Sequence, residues 1–202
     1  MRTPSLVLFD LDGVLVEYSH ARRMAHMGTA LGRTPEAVFS ALFDSGLEPR
    51  YDDGLLDNDA YLAALGEVLD CIVDRDTWSA ARLAGMSCTE VTCARILAVA
   101  RRCEVAVLTN NGAMVLDLLP QAMPRLFPLF EGRVFCSAAM GASKPSREAF
   151  LIPLERLGHA PGDTLFLDDN RANVEGARAA GLHAEHVAGP GEFDAILARY
   201  GL

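Results

Sequence analysis

The sequence predicts an α/β fold: a parallel five-stranded sheet with helices on both faces and a helical subdomain inserted after the first strand. Short apolar runs without alternation recur along the chain, as in strands covered on both faces. From residue 88 onward these runs alternate with helical patterns, which is typical of a parallel sheet with crossover helices. Residues 16–87 are almost wholly helical in pattern and too long for one crossover.

Five apolar runs are the predicted strands: Leu6–Phe9, Val105–Leu108, Val134–Phe135, Leu165–Leu167 and, more weakly, His183–Val187. Between the later strands, helices are predicted over Ser146–Leu157 and over Ala172–Ala180, the second ending at Gly181. Pro153 predicts a kink or a break in the first of them, because proline cannot donate the helical hydrogen bond.

The inserted segment has four predicted helices: His20–Leu31, Glu36–Phe43 with Thr34 as N-cap and Pro35 in the first turn, Asn58–Leu69 and Asp74–Leu83. We expect residues 16–87 to form a helical cap, with hinges near residues 16–18 and 85–89. Residues 1–15 and 88–202 then form the core domain that contains the five-stranded sheet. Trp78 is expected to pack inside the cap.

Composition limits the classes of function. Half of the 202 residues are hydrophobic, the formal net charge is -9 and the isoelectric point is about 5.0. This charge argues against binding to nucleic acid or to an anionic membrane surface, since both favour positive proteins. The N-terminal apolar stretch is too short for a signal peptide, and no segment approaches a membrane span of ~20 apolar residues. We expect a cytoplasmic protein, as a monomer or weak homodimer.

The five cysteines, an odd number without a C-x-x-C pair, predict buried free thiols rather than disulfides or a zinc site; they are Cys71, Cys88, Cys93, Cys103 and Cys136.

Polar residues follow the predicted strands, where open parallel sheets bind ligands. They are Asp10, Asp12, Thr109, Asn110, Ser143, Lys144, Asp168, Asp169 and Asn170. Four clustered carboxylates need a counter-charge, because like charges raise each other's pKa. Oxygen ligands without histidine or thiolate suit Mg²⁺. Lys144 is expected to neutralise remaining charge and to hold a phosphoryl oxygen.

These residue types also indicate phosphoryl chemistry. An aspartate can attack phosphorus and form an aspartyl-phosphate, and a second acid can protonate the leaving oxygen and later activate water. Asp10 and Asp12 are two residues apart and point the same way on an extended chain, and Gly13 permits a sharp turn after them. The alternatives are an ordinary turn after the first strand and helix caps at Asp168 and Thr109–Asn110.

Four stretches carry a resemblance to a known family: Asp10-Leu-Asp12-Gly13-Val14, Leu-Thr109-Asn110, Lys144-Pro145 and Phe-Leu-Asp168-Asp169-Asn170. In this order they resemble the four motifs of the haloacid dehalogenase (HAD) superfamily. The stretch "NVEGARAAGLHAEHV" resembles members with a helical cap inserted after the first strand. The resemblance covers nearly the whole chain and implies a Rossmann-like, HAD-type fold.

The same resemblance implies a role for each site residue. Asp10 is the nucleophile and Asp12 the general acid and base, while Thr109 and Lys144 hold the phosphoryl group. The Mg²⁺ ligands are Asp10, the backbone carbonyl of Asp12, and Asp169, with Asp168 behind it. Asn110 is expected to help bind the substrate.

Other polar residues of the insertion have weaker signals. The acidic stretch "YDDGLLDND" lacks the spacing of an EF-hand, so we expect Asp57 or Asn58 to cap a helix and the rest to form a solvated loop. Arg22, Arg23 or Arg50 is expected to reach down to a substrate phosphate or carboxylate, with surface solvation as the alternative. His183 and His186 do not suggest a metal site.

The sequence therefore predicts a Mg²⁺-dependent phosphatase of a small phosphorylated metabolite such as a sugar phosphate. A 2-haloacid dehalogenase would lack an acid at Asp12, because halide leaves without protonation. A phosphomutase differs mainly in the hydroxyl that receives the phosphoryl group, and stays open. A signalling receiver domain would carry its acceptor on a middle strand without a cap. A silent binding protein would have no need of the full set of site residues.

Overall fold

The structure of the protein, a computed structural model, describes residues 3–202. The strands are β1 (Leu6–Phe9), β2 (Glu17–Tyr18), β3 (Met86–Ser87), β4 (Glu104–Thr109), β5 (Val134–Cys136), β6 (Thr164–Asp168) and β7 (His183–His186). Five of them form one sheet in the order β5-β4-β1-β6-β7, with every neighbouring pair parallel. The predicted α/β fold with a parallel five-stranded sheet is confirmed.

Twelve α-helices are described: α1 (His20–Leu31), α2 (Pro35–Phe39), α3 (Leu47–Asp52), α4 (Asn58–Leu69), α5 (Arg75–Gly85), α6 (Glu90–Val99), α7 (Leu119–Ala122), α8 (Phe127–Phe130), α9 (Ser137–Met140), α10 (Arg147–Leu157), α11 (Arg171–Ala179) and α12 (Pro190–Arg199). A π-helical turn spans Ser40–Asp44, and 3₁₀ turns span Ala113–Leu118 and Pro161–Asp163.

The central strand β1 sets the position of the site. Phe9 lies in register with Val107 of β4 and with Leu167 of β6, so the three strands reach their carboxyl ends together. Residues that follow these ends, at positions 10, 109 and 168, therefore meet at one edge of the sheet.

Alternate residues of β1 face opposite layers, as strand geometry requires. Val7 and Phe9 pack with α6 and α12, for example against Ile96 and Ile196. Leu6 and Leu8 face α10 and α11 on the other side, where Phe150 and Val174 complete a second core. Both faces of the sheet are thus covered, which explains why its strands are apolar without alternation.

Helices α1–α5 lie between β2 and β3, which pair antiparallel through Glu17↔Ser87 and Tyr18↔Met86. They share an apolar cluster of their own, in which Trp78 is buried as expected. Met114 and Leu118, from the 3₁₀ turn after β4, join the same cluster. The inserted segment, residues 16–87, therefore packs directly on the loop that leaves strand β4.

Two helix predictions were wrong in detail. Helix α10 continues through Pro153 without a break, because its buried residues Phe150 and Leu154 anchor it to the sheet on both sides of the proline. The predicted helix over Glu36–Phe43 is a short α-helix that passes into a π-helical turn. Its predicted start is correct, since Thr34 accepts a hydrogen bond from the Ala37 N–H.

All five cysteines are free, as predicted, but only Cys93 and Cys136 are fully buried. Within residues 3–202, none of the helices combines the length and the apolar character that a membrane crossing requires.

Candidate active site

Residues from four separate parts of the chain converge on a cavity of about 470 Å³ at the carboxyl edge of the sheet. The predicted site residues that line it are Asp10, Asp12, Thr109, Asn110, Lys144 and Asp169. Asp10 follows β1, Thr109 ends β4, Lys144 lies between α9 and α10, and Asp169 follows β6. The parallel topology therefore assembles in space what lies more than 150 residues apart in sequence.

Lys144 is the one lysine of a sequence that has 17 arginines. Its ammonium is buried and donates to Asp10 Oδ1 at 2.8 Å, to Asp168 Oδ2 at 2.7 Å and to the Leu108 carbonyl at 3.0 Å. These three bonds use all of its N–H groups. A phosphoryl oxygen held by Lys144 would have to replace one of these acceptors.

Burial raises the pKa of Asp10 to about 7, although Lys144 acts in the opposite direction. The negative charge of Asp168 adds to the rise. Asp10 Oδ1 accepts from Lys144 and, at 2.8 Å, from the Leu11 N–H. Asp10 Oδ2 accepts no hydrogen bond from the described residues, so one oxygen is fixed and the other is available.

Asp168 is completely buried and fully hydrogen-bonded. Oδ1 accepts from the Asn170 N–H at 2.7 Å, and the Asn173 amide donates to both oxygens at 3.1–3.2 Å. The alternative that Asp168 caps the next helix does not hold, because Asn170 performs that role. Asp168 instead holds Lys144 in place.

Three carboxylates fit a divalent cation. One oxygen each of Asp10, Asp168 and Asp169 lies within 4.8 Å of the others, and this all-oxygen donor set matches the preference of Mg²⁺. Burial, and next the charge of Asp168, raise the pKa of Asp169. Gly13 is required beside it, because a Cβ at this positive φ would lie 2.2 Å from Asp169 Oδ2.

The side chain of Asp12 lies outside this group of three. Its Oδ2 accepts from Arg82 Nη2 at 2.5 Å and from Asn111 Nδ2 at 3.1 Å. Its Oδ1 is buried and has no hydrogen-bond partner within the described part of the chain. The same Asn111 amide donates to Thr109 Oγ1 at 2.7 Å, so Thr109 and Asp12 are joined through one residue.

Asn110 lines the cavity, but its amide is engaged with the backbone of Lys144. Nδ2 donates to the Lys144 carbonyl at 2.8 Å, and the Lys144 N–H donates to Oδ1 at 2.9 Å. This reciprocal pair fixes the loop that carries the lysine. Neither Thr109 nor Asn110 caps the 3₁₀ turn that begins at Ala113.

The predicted arginines of the inserted segment do not line the cavity. Arg22 donates to the carbonyls of Ala84 and Gly85, and Arg50 is exposed. Arg23 is buried and paired with Glu48 inside the segment.

Three other residues of the segment reach the site: Tyr18 and His20 line the cavity, and Arg82 contacts Asp12. Sequence reasoning missed Arg82 and Asn111. Asn111 could have been included as the next polar residue after Asn110, whereas no local signal marks Arg82.

The acidic stretch is only in part the expected solvated loop: residues 53–55 are exposed, but residues 51–52 end helix α3. Asp52 Oδ1 accepts from the Gly112 N–H at 2.7 Å, and Ser143 Oγ donates to Asp53 Oδ1 at 2.6 Å. Gly112 must be glycine here, because a Cβ would meet the Tyr51 ring at 1.9 Å. Asp57 caps α4 as predicted. These contacts hold the inserted segment against the loops that follow β4 and β5.

We expect Asp52→Asn to remove a pH dependence of stability. Burial, and next the charge of Glu48, raise the pKa of Asp52 from 3.8 to about 8. Because this folded-state pKa exceeds the unfolded value, the native state binds the proton more tightly and stability falls as pH rises from about 4 to about 8. An asparagine keeps an oxygen for the Gly112 N–H without the charge.

Urea unfolding measures this effect. The variant is expected to match the wild type at about pH 4 and to be more stable by about 1–3 kcal/mol at about pH 8. The neighbouring change Asp53→Asn serves as the control and is expected to keep the wild-type pH dependence. An equal effect of Asp52→Asn at both pH values would contradict the assignment.

Comparisons with known proteins identify similar chains and similar folds. The chain is 38% identical over 84 residues to Phosphatase MT3486 of Mycobacterium tuberculosis, a stretch that spans 42% of this chain and 38% of that relative. A predicted HAD-like family hydrolase from Porphyromonas gingivalis superposes with a TM-score of 0.82 at 25% identity, covering 98% of each chain.

A HAD family enzyme of Bacteroides thetaiotaomicron, bt-2542, has been solved in complex with magnesium and inorganic phosphate. It superposes with a TM-score of 0.80 at 21% identity, covering 93% of this chain and 96% of that one. The family model of haloacid dehalogenase-like hydrolases matches residues 4–181. The resemblance read from the four motifs is thus confirmed, and the chain belongs to the haloacid dehalogenase-like hydrolases.

Proposed function

We propose that this protein is a Mg²⁺-dependent phosphatase that hydrolyses a small phosphorylated metabolite, such as a sugar phosphate, through an aspartyl-phosphate. The observation that carries the proposal is the buried Lys144 between Asp10 and Asp168, at the wall of a cavity that also contains Asp12 and Asp169. A nucleophile, a second acid and an all-oxygen cation site therefore share one small space.

The proposed metal ligands are Asp10, Asp169 and the backbone carbonyl of Asp12, with Asp168 behind them. Mg²⁺ bound there would neutralise phosphoryl charge and polarise a phosphoryl oxygen. The donor set on which this rests is the group of carboxylates within 4.8 Å of one another.

In the first step a carboxylate oxygen of Asp10 attacks phosphorus, and the bond from phosphorus to the leaving oxygen breaks. Asp12 gives its proton to that leaving oxygen. In the second step Asp12 takes a proton from water, whose oxygen attacks phosphorus, and the bond to Asp10 breaks to release inorganic phosphate. A general acid and base of this kind accelerates a reaction by ~10²–10⁴-fold. Thr109 and Lys144 would hold the phosphoryl group.

A small substrate suits the space. The cavity of about 470 Å³ is bounded on one side by Tyr18 and His20 at the start of the inserted segment. Burial, and next the charges of Arg23 and Arg82, lower the pKa of His20, which favours a neutral ring beside the substrate. We propose that residues 16–87 act as a cap that excludes bulk water and large substrates.

Two relatives support phosphate ester chemistry: one is named a phosphatase, and the other binds magnesium and inorganic phosphate in its crystal. Asp12 argues against a 2-haloacid dehalogenase, because departure of halide needs no proton donor. A phosphomutase would return the phosphoryl group to a sugar hydroxyl instead of to water. We propose a monomer or weak homodimer without nucleic acid or membrane partners.

The test is hydrolysis of p-nitrophenyl phosphate followed by a panel of sugar, nucleotide and acid phosphates. We expect release of inorganic phosphate that depends on Mg²⁺, is lost with excess chelator and returns when Mg²⁺ is restored. An Arg75→Met control, which removes an exposed ion pair with Asp117, is expected to retain the activity. Release of chloride from 2-chloropropionate without turnover of any phosphate ester would overturn the proposal.

A further inference from the structure

We propose that Arg82, carried by the inserted segment, is a positioning residue for Asp12. Together with Asn111 it fixes the orientation of the Asp12 carboxylate at the cavity wall. The inference rests on the proposed phosphatase function, which assigns proton transfer to Asp12. It adds a residue to the site that the four family motifs do not contain.

The hydrogen bonds of Asp12 are strongly unequal. Oδ2 accepts from both Arg82 Nη2 and Asn111 Nδ2, whereas Oδ1 is buried and has no partner among the described residues. A buried acceptor without a donor is costly, and such groups occur where a ligand or a reaction uses the residue. Two donors on Oδ2 hold the carboxylate in one orientation, in which the Asp12 side chain lies at the cavity wall and is 26% exposed.

Arg82 is itself held rigidly. Its side chain is 3% exposed, its guanidinium lies 4.0 Å from the centre of the Tyr18 ring, and Nη2 also donates to Asn111 Oδ1 at 3.0 Å. The guanidinium therefore has a stacking partner and two oxygen acceptors, in a planar geometry that a flexible ammonium does not reproduce. An Arg82 side chain fixed in this way can orient the Asp12 carboxylate that accepts its hydrogen bond.

Arg82 lies on α5, three residues before the end of that helix, and the helix leads directly into β3. Asp12 follows β1 in the core. The contact exists only while the inserted segment lies against the carboxyl edge of the sheet. Docking of the segment would then bring Arg82 to Asp12, so that the carboxylate is correctly oriented for proton transfer only in the docked arrangement.

The inference predicts a specific dependence on the leaving group. Phenolate from phenyl phosphate needs a proton as it departs, whereas p-nitrophenolate leaves well without one. In Arg82→Met we expect kcat/KM for phenyl phosphate to fall by about 10²-fold, and for p-nitrophenyl phosphate by less than about tenfold. Asp12→Asn is expected to show the same pattern more strongly.

Three further variants complete the test. Arg82→Lys keeps the positive charge but not the planar guanidinium group. Its kcat/KM for phenyl phosphate is expected to lie between those of the wild type and Arg82→Met. The double variant Asp12→Asn/Arg82→Met is expected to have the leaving-group dependence of Asp12→Asn alone, because Arg82 acts through Asp12. Arg75→Met is the matched control on the same helix, since it removes an exposed ion pair that does not involve Asp12.

The outcomes separate the two proposals. A wild type that hydrolyses both esters, with Arg82→Met reducing both equally or neither, overturns the role of Arg82 and leaves the phosphatase intact. A wild type that hydrolyses neither ester with Mg²⁺ overturns the proposed function and this inference together. If Arg82→Met fails to fold, the test uses Arg82→Lys. A leaving-group dependence of Arg82→Lys equal to that of the wild type then overturns the inference.

Discussion

Asp10→Asn is expected to abolish Mg²⁺-dependent hydrolysis of phosphate esters, by on the order of 10⁴-fold or more in kcat. The carboxylate oxygen that would attack phosphorus is replaced by an amide, which is a very poor nucleophile. The loss should appear for p-nitrophenyl phosphate as strongly as for phenyl phosphate, because bond formation to phosphorus is required for every leaving group.

The fold should survive this change. An asparagine has the same shape, and its amide oxygen can still accept from the Leu11 N–H and from Lys144, as Asp10 Oδ1 does. Asp168 still pairs with the Lys144 ammonium at 2.7 Å in this variant, so the buried cation keeps an anionic partner. Circular dichroism and urea unfolding of the variant check that the lost activity is chemical.

A covalent intermediate provides a second readout. Acid quenching during turnover, followed by intact mass spectrometry, should reveal one phosphoryl group on the wild-type chain and none on Asp10→Asn. Asp117→Asn is a suitable control, because this exposed residue pairs with Arg75 and does not line the cavity. Retention of more than about a tenth of the activity in Asp10→Asn would contradict the nucleophile assignment.

The second large effect is expected at Lys144, on stability as well as on activity. Lys144→Met leaves Asp10 and Asp168 buried without their shared cation, and breaking a buried ion pair in this way costs about 3–5 kcal/mol. Burial alone would lower the pKa of Lys144, but Asp10 and Asp168 raise it above its usual 10.5. The stabilisation is therefore fully present below this pH and is lost at higher pH.

Urea unfolding at about pH 7 measures the loss, and Mg²⁺ should recover part of it in the variant, because a ligand that binds only the folded state stabilises it. Arg75→Met, which breaks an exposed ion pair, is expected to change stability by less than about 1 kcal/mol. Equal stability of Lys144→Met and wild type without Mg²⁺ would contradict this account of the buried triad.

Lys144→Arg separates charge from shape. The ammonium makes three short bonds in three directions, to two carboxylates and the Leu108 carbonyl, within a fully buried space. A planar guanidinium is larger and cannot point its donors in the same way. We therefore expect the arginine variant to lose activity as well, which fits the use of a lone lysine in a chain otherwise supplied with arginines.

Much of the fold was readable from local patterns. The strands over residues 6–9 and 165–167 were predicted because unalternating apolar runs report burial on both faces. The helix starts at Thr34 and Asp57 were readable because capping depends on a few neighbouring residues. The predicted break at Pro153 does not occur, because packing of α10 on the sheet outweighs the local helix-breaking tendency of proline.

The sequence by itself determined where the core acids and Lys144 would meet, since parallel strands deliver their carboxyl ends to one edge whatever lies between them. Only the tertiary structure decided which arginine of the inserted segment reaches that edge. Arg22 and Arg50 were expected, and Arg82 contacts Asp12 instead. It likewise decided that Asp52 is held by Gly112 rather than by solvent. Such contacts depend on how one group of helices docks against another, and no local pattern records that orientation.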